Sequence, residues 1–551
     1  MPGPSAGPDS TLAAGNDVLL VEDLGQQRLP ARALAAVLRQ AGFGVQLAHY
    51  GPGRSEGGGN TRAILALAAQ LQPRLVLLSI LFASRVPEYL ALAGALRAAG
   101  VRTHITMTGP LPSFAPSELL AACPALDSVL CGEAEASVVE LASRLDDPAQ
   151  WPLVPGLACR APGGSTRRAG DWPALVADLD SLPFPLRNGS LPFYLGYGFA
   201  TVEGSRGCYH ACSFCLPTAF YRASARGSRG GGYYRLRSVS NLVDEIGALH
   251  RQGARLFLFD DEQFLPPGRL REERIARIEQ ELARRGLEIA FTIKCRADDV
   301  EAALFEQLRR IGLLRVYAGV ESGCQASLDL LEKGVTAERN LEALTILDDL
   351  GIVADFFDLL FHPWSTLETV ENEIAFCKRV APHICTPLRF NEVGMLPGTR
   401  LADRLCMEGR CSGEPWNWSY EIVDPRVEVL RRLNRLVFTS SALWIRMERR
   451  LTDSWYALLL ERRFQPARFD DALASTVREV VACLNREWLA VWSEMLEFAR
   501  AGPILEAGKV NDAAGRWVSR VNAGCMHGAG ILSDLGLSPS TGLEAEVVPS
   551  C

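Results

Sequence analysis

At 551 residues the chain is too long for one ordinary hydrophobic core, so two or three domains are expected. Hydrophobic residues make up 48% and charged residues 22%, the profile of a folded globular protein, and no apolar run reaches membrane-spanning length. A formal net charge of −7 removes any strong electrostatic case for nucleic acid or an anionic membrane as partner.

Residues 1–16 (MPGPSAGPDSTLAAGN) lack the basic start and apolar core of an export signal. They read as a disordered tail, which implies a cytoplasmic chain. That context bears on the fifteen cysteines. In a reducing compartment, clustered thiols point to a metal and scattered ones to small buried hydrophobes. Twelve are scattered, and only Cys208, Cys212 and Cys215 form a tight group.

Five strand–helix units are predicted over 17–150. DVLLVE at 17–22 leads to a helical pattern at 30–41, VQLAH at 45–49 to 60–71, and PRLVLLSI at 73–80 to 86–99. THITMT at 103–108 leads to 114–122, and DSVLC at 127–131 to 133–145. Short β-rich runs alternating with amphipathic helices predict a parallel sheet covered on both faces, with ligands in the crevice beyond the strands' carboxyl ends. Those ends hold Glu22–Asp23–Leu24, Ser79–Ile80–Leu81, Thr108–Gly109–Pro110 and Gly132–Glu133.

TGPLPSFAPSELL and LDSVLCGEAEASVVEL give this stretch its specific character. They resemble the Gly-rich and Gly-Glu turns of the flavodoxin-like, Rossmann-type cobalamin-binding domain found ahead of many radical S-adenosylmethionine (SAM) enzymes. The resemblance implies cobalamin held by Asp23, Leu24, Ser79, Leu81, Gly109, Pro110, Gly132 and Glu133. A flavodoxin-like domain with another ligand, or none, is the alternative, because a fold does not name its ligand. Cobalamin mutases carry an Asp-x-His loop whose histidine ligates cobalt, and this chain has none. Binding without a protein histidine is therefore expected, with His49 read as an ordinary surface or core residue.

Residues 151–198 are rich in Pro, Gly and Arg and read as a connector. FATVEGSRGCYHACSFCLP follows, in which Cys208, Cys212 and Cys215 form Cys-x-x-x-Cys-x-x-Cys. Three thiolates can hold three irons of a cubane cluster and leave the fourth open to a ligand. Zinc with His210 as fourth ligand is the rival, although no second cysteine pair lies nearby. Strands are predicted at 199–203, 255–260, 288–293, 314–319, 353–359 and about 385–391, with helices between them. Six such units make a partial (β/α)6 barrel, whose functional groups gather at the carboxyl ends. Those ends supply the cysteine loop, Asp260–Asp261–Glu262, Lys294, Arg296, Glu321, His362 and Asn391–Glu392.

Residues 199–412 resemble the radical SAM core of the cobalamin-dependent methyltransferases, through RGCYHACSFC, FDDEQF, GVESGCQASLDLLEKGVTAERN and LPGTRLADRL. The resemblance implies that Cys208, Cys212 and Cys215 hold a 4Fe–4S cluster. It implies SAM bound by Phe214, Asp261, Glu262, Arg296 and Glu321, with Glu262 and His362 as catalytic residues. FHPWSTLETV departs from the family's usual Gly-x-Pro-x-E turn; His362 and Trp364 there face substrate, or only pack the loop. Residues 413–505 read as helical, with Trp444, Trp455, Trp488 and Trp492 on a core-facing stripe or a substrate-covering cap. Rising Gly, Ser and Pro content predicts a loosely ordered end over 506–551, and Cys525 and Cys551 are assigned no partner.

The resemblance also implies a reaction. One SAM methylates cobalamin to methylcobalamin, and the reduced cluster cleaves a second SAM to a radical that activates the substrate. Family substrates are unactivated carbons of antibiotic precursors or a phosphinate phosphorus. The partners implied are a small-molecule substrate and an electron donor such as flavodoxin or ferredoxin. A rearrangement or cyclisation without methyl transfer, and a cobalamin sensor or carrier with a structural cluster, are the two rivals.

Overall fold

The computed structural model describes residues 17–23, 29–51, 60–161, 163–187, 189, 191–226, 232–502 and 507–537. The tail expected at 1–16, residues 538–551 of the tail expected over 506–551 (with Cys551), and the site candidate Leu24 lie outside the described residues.

The first sheet contains β1 (Val18–Asp23), β2 (Val45–Tyr50), β3 (Leu75–Ser79), β4 (His104–Thr108), β5 (Ser128–Leu130), β6 (Leu157–Arg160) and β7 (Thr166–Arg168). Their order is β2-β1-β3-β4-β5-β6-β7, parallel through β5 and antiparallel for the last two. Alternation along single strands explains the two covered faces. Leu19, Val21, Val76 and Leu78 enter one apolar cluster, while Val18, Leu20, Leu75 and Leu77 enter the other. The sheet thus extends beyond 150 into the expected connector, because the β6–β7 hairpin completes its edge.

The second sheet contains β8 (Phe193–Tyr194) and β9 (Tyr197–Val202), followed, after the short β10 (Ser205–Arg206) and β11 (Arg235–Leu236), by β12 (Ala254–Phe259), β13 (Ala290–Arg296), β14 (Leu313–Gly319) and β15 (Val353–Asp355). The order is β15-β14-β13-β12-β9-β8, with β9, β12, β13, β14 and β15 parallel. The predicted strand at 353–359 breaks in two. Its second half, β16 (Asp358–Phe361), leaves β14 and pairs with β17 (Phe390–Glu392), joined to the main sheet through a bridge between Glu321 and Asp358. β13 runs three residues further than predicted and so includes Lys294 and Arg296.

The barrel is closed by helices Pro425–Asn434, Ala442–Phe464 and Asp471–Arg500. Trp488 and Trp492 are fully buried in the same apolar core as Phe361 and Phe390. The tryptophan stripe therefore faces core. Inside the barrel, Arg315 and Arg389 clamp Asp355, and Tyr194 Oη donates to Asp453 at 2.6 Å. The expected loose end begins instead with a 28-residue helix, Ala507–Asp534. Val510, Ala513, Ala514, Trp517, Val521 and Cys525 recur at three- and four-residue spacing and pack into the core, which outweighs the local Gly content. Cys406 and Cys411, read as scattered, are joined in a disulfide. Their Cα atoms stand 4.9 Å apart, within ordinary bridging range. Among the described residues, no helix is long and apolar enough to cross a membrane.

Candidate active site

The cysteine loop leaves β9 and is pinned at both ends before any ligand is considered. Gly204 N and Ser205 Oγ donate to Asp261 at 3.0 and 2.6 Å, and β10 pairs with β11. Gly207 sits at φ +86°, where a Cβ would lie 2.1 Å from the Tyr233 carbonyl oxygen, so only glycine allows the turn into Cys208. Further along, Ser213 N donates to Leu331 O at 2.9 Å and Leu401 N to Ser213 O at 3.0 Å. Cys215 then stands at the N-cap position of helix Leu216–Ala225, with Pro217 in its first turn.

All three thiols are half-buried. Burial pushes Cys208 up to about 12 and Cys215 up to about 11, which favours the neutral thiol at those two positions. Donors are in place for a deprotonated, ligating form. Arg296 Nη1 lies 3.5 Å from Cys212 Sγ, and Thr218 Oγ1 donates to Cys215 Sγ at 3.2 Å. Arg296 Nη2 also donates to the Lys333 carbonyl at 2.5 Å, and Lys333 Nζ to Glu321 Oε1 at 2.9 Å. Glu321 holds φ +64°, and its carbonyl accepts from Leu359 N at 2.7 Å. Glu262 Oε2 accepts from Gly207 N at 3.2 Å, and burial raises its carboxyl above the usual range. Lys294 pairs with Asp260 at 2.6 Å.

The structure therefore gathers Cys208, Cys212, Cys215, Glu262, Arg296 and Glu321 around one loop, with Phe214 packed against the barrel core beside them. It treats two candidates differently. Asp261 is 1% exposed and binds the backbone of the cysteine loop, which makes it a support for that loop. His362 is 2% exposed, with Nε2 3.1 Å from Ser327 Oγ and burial lowering it to about 4. It is an enclosed neutral imidazole that packs its turn, not a group offered to substrate. Trp364 stacks under Arg404 at 4.3 Å, outside the loop cluster. Sequence reasoning missed Lys333, although it lies inside the quoted GVESG…LEKG segment, and it missed Arg206.

At the carboxyl edge of the first sheet, Asp23 accepts from Arg85 Nε at 3.0 Å and Tyr89 Oη at 3.2 Å. Ser79 and Leu81 are half-buried. Gly109 has φ +136°, where a Cβ would fall 1.9 Å from Ile80 O, so its backbone lies directly on the neighbouring strand end. Pro110 starts the helix Pro110–Phe114, whose Ser113 Oγ accepts from Gly132 N at 3.0 Å. Glu133 is not turned toward a crevice ligand. It is 6% exposed and gripped by Arg235 at 2.6 and 2.8 Å, from the barrel unit. His49, at the end of β2, lies 3.2 Å from Glu22.

The two carboxyl edges face each other. Helix Pro110–Phe114 packs on helix Leu216–Ala225, and Phe114, Trp172 and Phe220 form an aromatic bridge with centroids 5.0 and 5.6 Å apart. Gly398 of the LPGT segment lies against Phe114, where a Cβ would be 2.2 Å from the ring.

A single tetrahedral zinc would draw its sulfurs to about 4 Å from one another. Among the described residues, the only three ligand-type groups within 4.8 Å of one another are Asp358, Glu373 and Cys377, away from the loop. At least one pair of loop sulfurs is therefore more than 4.8 Å apart, and three thiols close in sequence suit a cubane with one iron left open. The Glu262, Arg296, Lys333 and Glu321 ring suits a zwitterionic cosubstrate with a ribose. The first edge offers Ser79, Leu81 and the backbone at Gly109, which suits a bulky ligand of low charge.

The description "Radical SAM superfamily" matches residues 202–376, and "B12 binding domain" matches residues 25–142. An uncharacterized methyltransferase of Pyrococcus horikoshii is 26% identical over 326 residues, 58% of this chain and 67% of that protein. The anaerobic magnesium-protoporphyrin IX monomethyl ester cyclase of Rubrivivax gelatinosus is 26% identical over 296 residues, 51% of each. The chain thus spans about two thirds and about half of these relatives. The structure of the cobalamin-dependent S-adenosylmethionine radical enzyme OxsB, with aqua-cobalamin and S-adenosylmethionine bound, gives a TM-score of 0.66 at 17% identity. That likeness, one of fold, covers 96% of this chain and 82% of that one.

Proposed function

The chain belongs to the cobalamin-dependent radical SAM methyltransferase family, and on that premise we propose that it methylates an unactivated carbon, or a phosphinate phosphorus, of a small natural-product precursor. Its cofactors are a 4Fe–4S cluster, SAM and cobalamin. When bound, these groups supply a substrate radical and a methyl group to meet it.

The observation that carries the reading is the opposition of the two carboxyl edges across Phe114, Trp172 and Phe220. A radical generator and a methyl donor serve one reaction only if both open onto one space. Cys208, Cys212 and Cys215 would hold the cluster, with Arg296 and Thr218 stabilising thiolate charge at Cys212 and Cys215. Glu262, Arg296, Glu321 and Lys333 would orient SAM. Ser79, Leu81, Gly109, Pro110 and Gly132 would meet cobalamin by backbone and shape. A small redox protein such as flavodoxin or ferredoxin would bring the electron.

Anaerobic enzyme loaded with iron, sulfide and hydroxocobalamin, and supplied with a low-potential reductant, tests this with methyl-labelled SAM and a small-molecule extract. The expected result is labelled product with 5′-deoxyadenosine and S-adenosylhomocysteine in near-equal amounts. Deoxyadenosine with an altered but unlabelled product would replace methylation by rearrangement. No SAM consumption at all would leave a carrier or sensor.

A further inference from the structure

Arg206 lies two residues before the first cysteine of the loop, yet its side chain belongs to both units of the protein. It is 8% exposed and meets Glu203 at 2.8 Å, Glu135 at 2.6 Å and Glu133 at 3.5 Å. Glu203 follows β9 of the barrel. Glu133 and Glu135 come from the turn after β5 and the start of helix Glu135–Ser143. The β10–β11 pairing sets Arg206 beside Arg235, which grips Glu133 through both its oxygens.

Beyond Glu133 the chain of contacts continues. Gly132 N donates to Ser113 Oγ, and Ser113 Oγ donates to Gly109 O at 2.7 Å. Toward the cysteines, Gly207 N donates to Glu262. Hydrogen bonds and ion pairs, joined through the Gly132–Glu133 and Arg206–Gly207 peptide linkages, thus connect the Gly109 turn to the residue next to Cys208. Buried ion pairs add little net stability, because desolvation offsets their attraction, but a planar guanidinium held by several carboxylates fixes direction tightly. The network is built to set geometry.

We propose that Arg206 is a positioning residue that registers the cluster loop against the Gly109–Gly132 edge and so sets the separation of the cluster from cobalamin. This rests on the reading that cobalamin occupies that edge. The consequence is specific: losing the guanidinium loosens the spacing of the two cofactors without removing either.

Full-length enzyme, loaded with iron, sulfide and hydroxocobalamin and reduced so that cluster and cob(II)alamin are both paramagnetic, tests it. In the parent protein the cluster is expected to speed electron-spin relaxation of the cobalt. R206A is expected to retain iron and cobalamin while losing most of that enhancement. R206K, which restores charge without the fork, should recover part of it, and E135Q should lose less than R206A. Parent-like relaxation in R206A, even with a lowered denaturation midpoint, would make the residue a mere clamp and overturn the proposal. If R206A does not fold, E135Q decides, and parent-like relaxation there overturns it equally. Failure of the parent enzyme to take up cobalamin would show up first, as a loss of binding, and would overturn the functional reading together with this one.

Discussion

The two carboxyl edges that meet in this protein are equipped in opposite ways. On the first sheet the charged groups are committed to the protein itself: Asp23 to Arg85 and Tyr89, Glu133 to Arg235 and Arg206. What is left facing outward is backbone and small or apolar side chain. At the second edge Arg296 reaches Cys212, Lys333 pairs with Glu321, and Glu262 holds Gly207 N beside Cys208. The difference teaches what each ligand asks for. A charged cluster and a zwitterionic cosubstrate need fixed charges close by, whereas a large macrocycle of low charge needs shape and accessible backbone.

The largest effect that would break or support this contrast is at the thiols. Replacing Cys208, Cys212 and Cys215 together by alanine should abolish bound iron and SAM cleavage while cobalamin uptake persists. Retained cleavage would remove the second edge from the chemistry altogether.

Next comes Gly109→Val, which pushes a branched side chain into Ile80 O at a positive φ. A cost of about 3 kcal/mol or more to the first unit is expected, since both partners are backbone and cannot yield. Cobalamin uptake should fall with iron content unchanged, as read by absorbance and iron assay. Loss of iron in step with cobalamin would mean that the two edges do not act separately.

A smaller change is expected from Lys333→Met. Lys333 is 4% exposed and pairs with Glu321, so methionine keeps the bulk and strands a carboxylate. SAM affinity, measured by equilibrium dialysis, should drop about tenfold, or about 1.4 kcal/mol. An unchanged affinity would move SAM away from this ring.

A pH-dependent effect of comparable size concerns one histidine in each unit. His104 lies 2.8 Å from Ser128 Oγ and His362 3.1 Å from Ser327 Oγ, and burial lowers both to about 4. A depressed folded value means the stability is complete above about pH 6.5 and is lost as pH falls toward 4. Each should cost about 2 kcal/mol between about pH 7.5 and pH 5. Chemical denaturation of His104→Gln and His362→Gln should each show a flatter pH dependence than the parent. An equal slope in a variant would mean that its imidazole is charged in the folded protein.

Much of the architecture was legible in the residues alone. Alternating β-rich runs and amphipathic stretches marked both sheets, because burial on two faces demands near-continuous apolar strands such as LVLLS and ARLFLF. The cysteine spacing marked the loop, because local chain geometry sets what neighbouring thiols can share. The tertiary structure alone decided the rest. Glu133 and Arg206 stand 73 residues apart in the chain, and nothing local tells a strand-end carboxylate that its partner comes from another domain. The same holds for Asp261, turned to the loop backbone, for His362, closed over by Ser327, and for the helix Ala507–Asp534, which exists because it packs on the core. Periodicity determines which face of an element is apolar, since that depends only on residue spacing. What a polar group at an element's end will touch depends on how the elements are brought together, and that was settled only when both edges met.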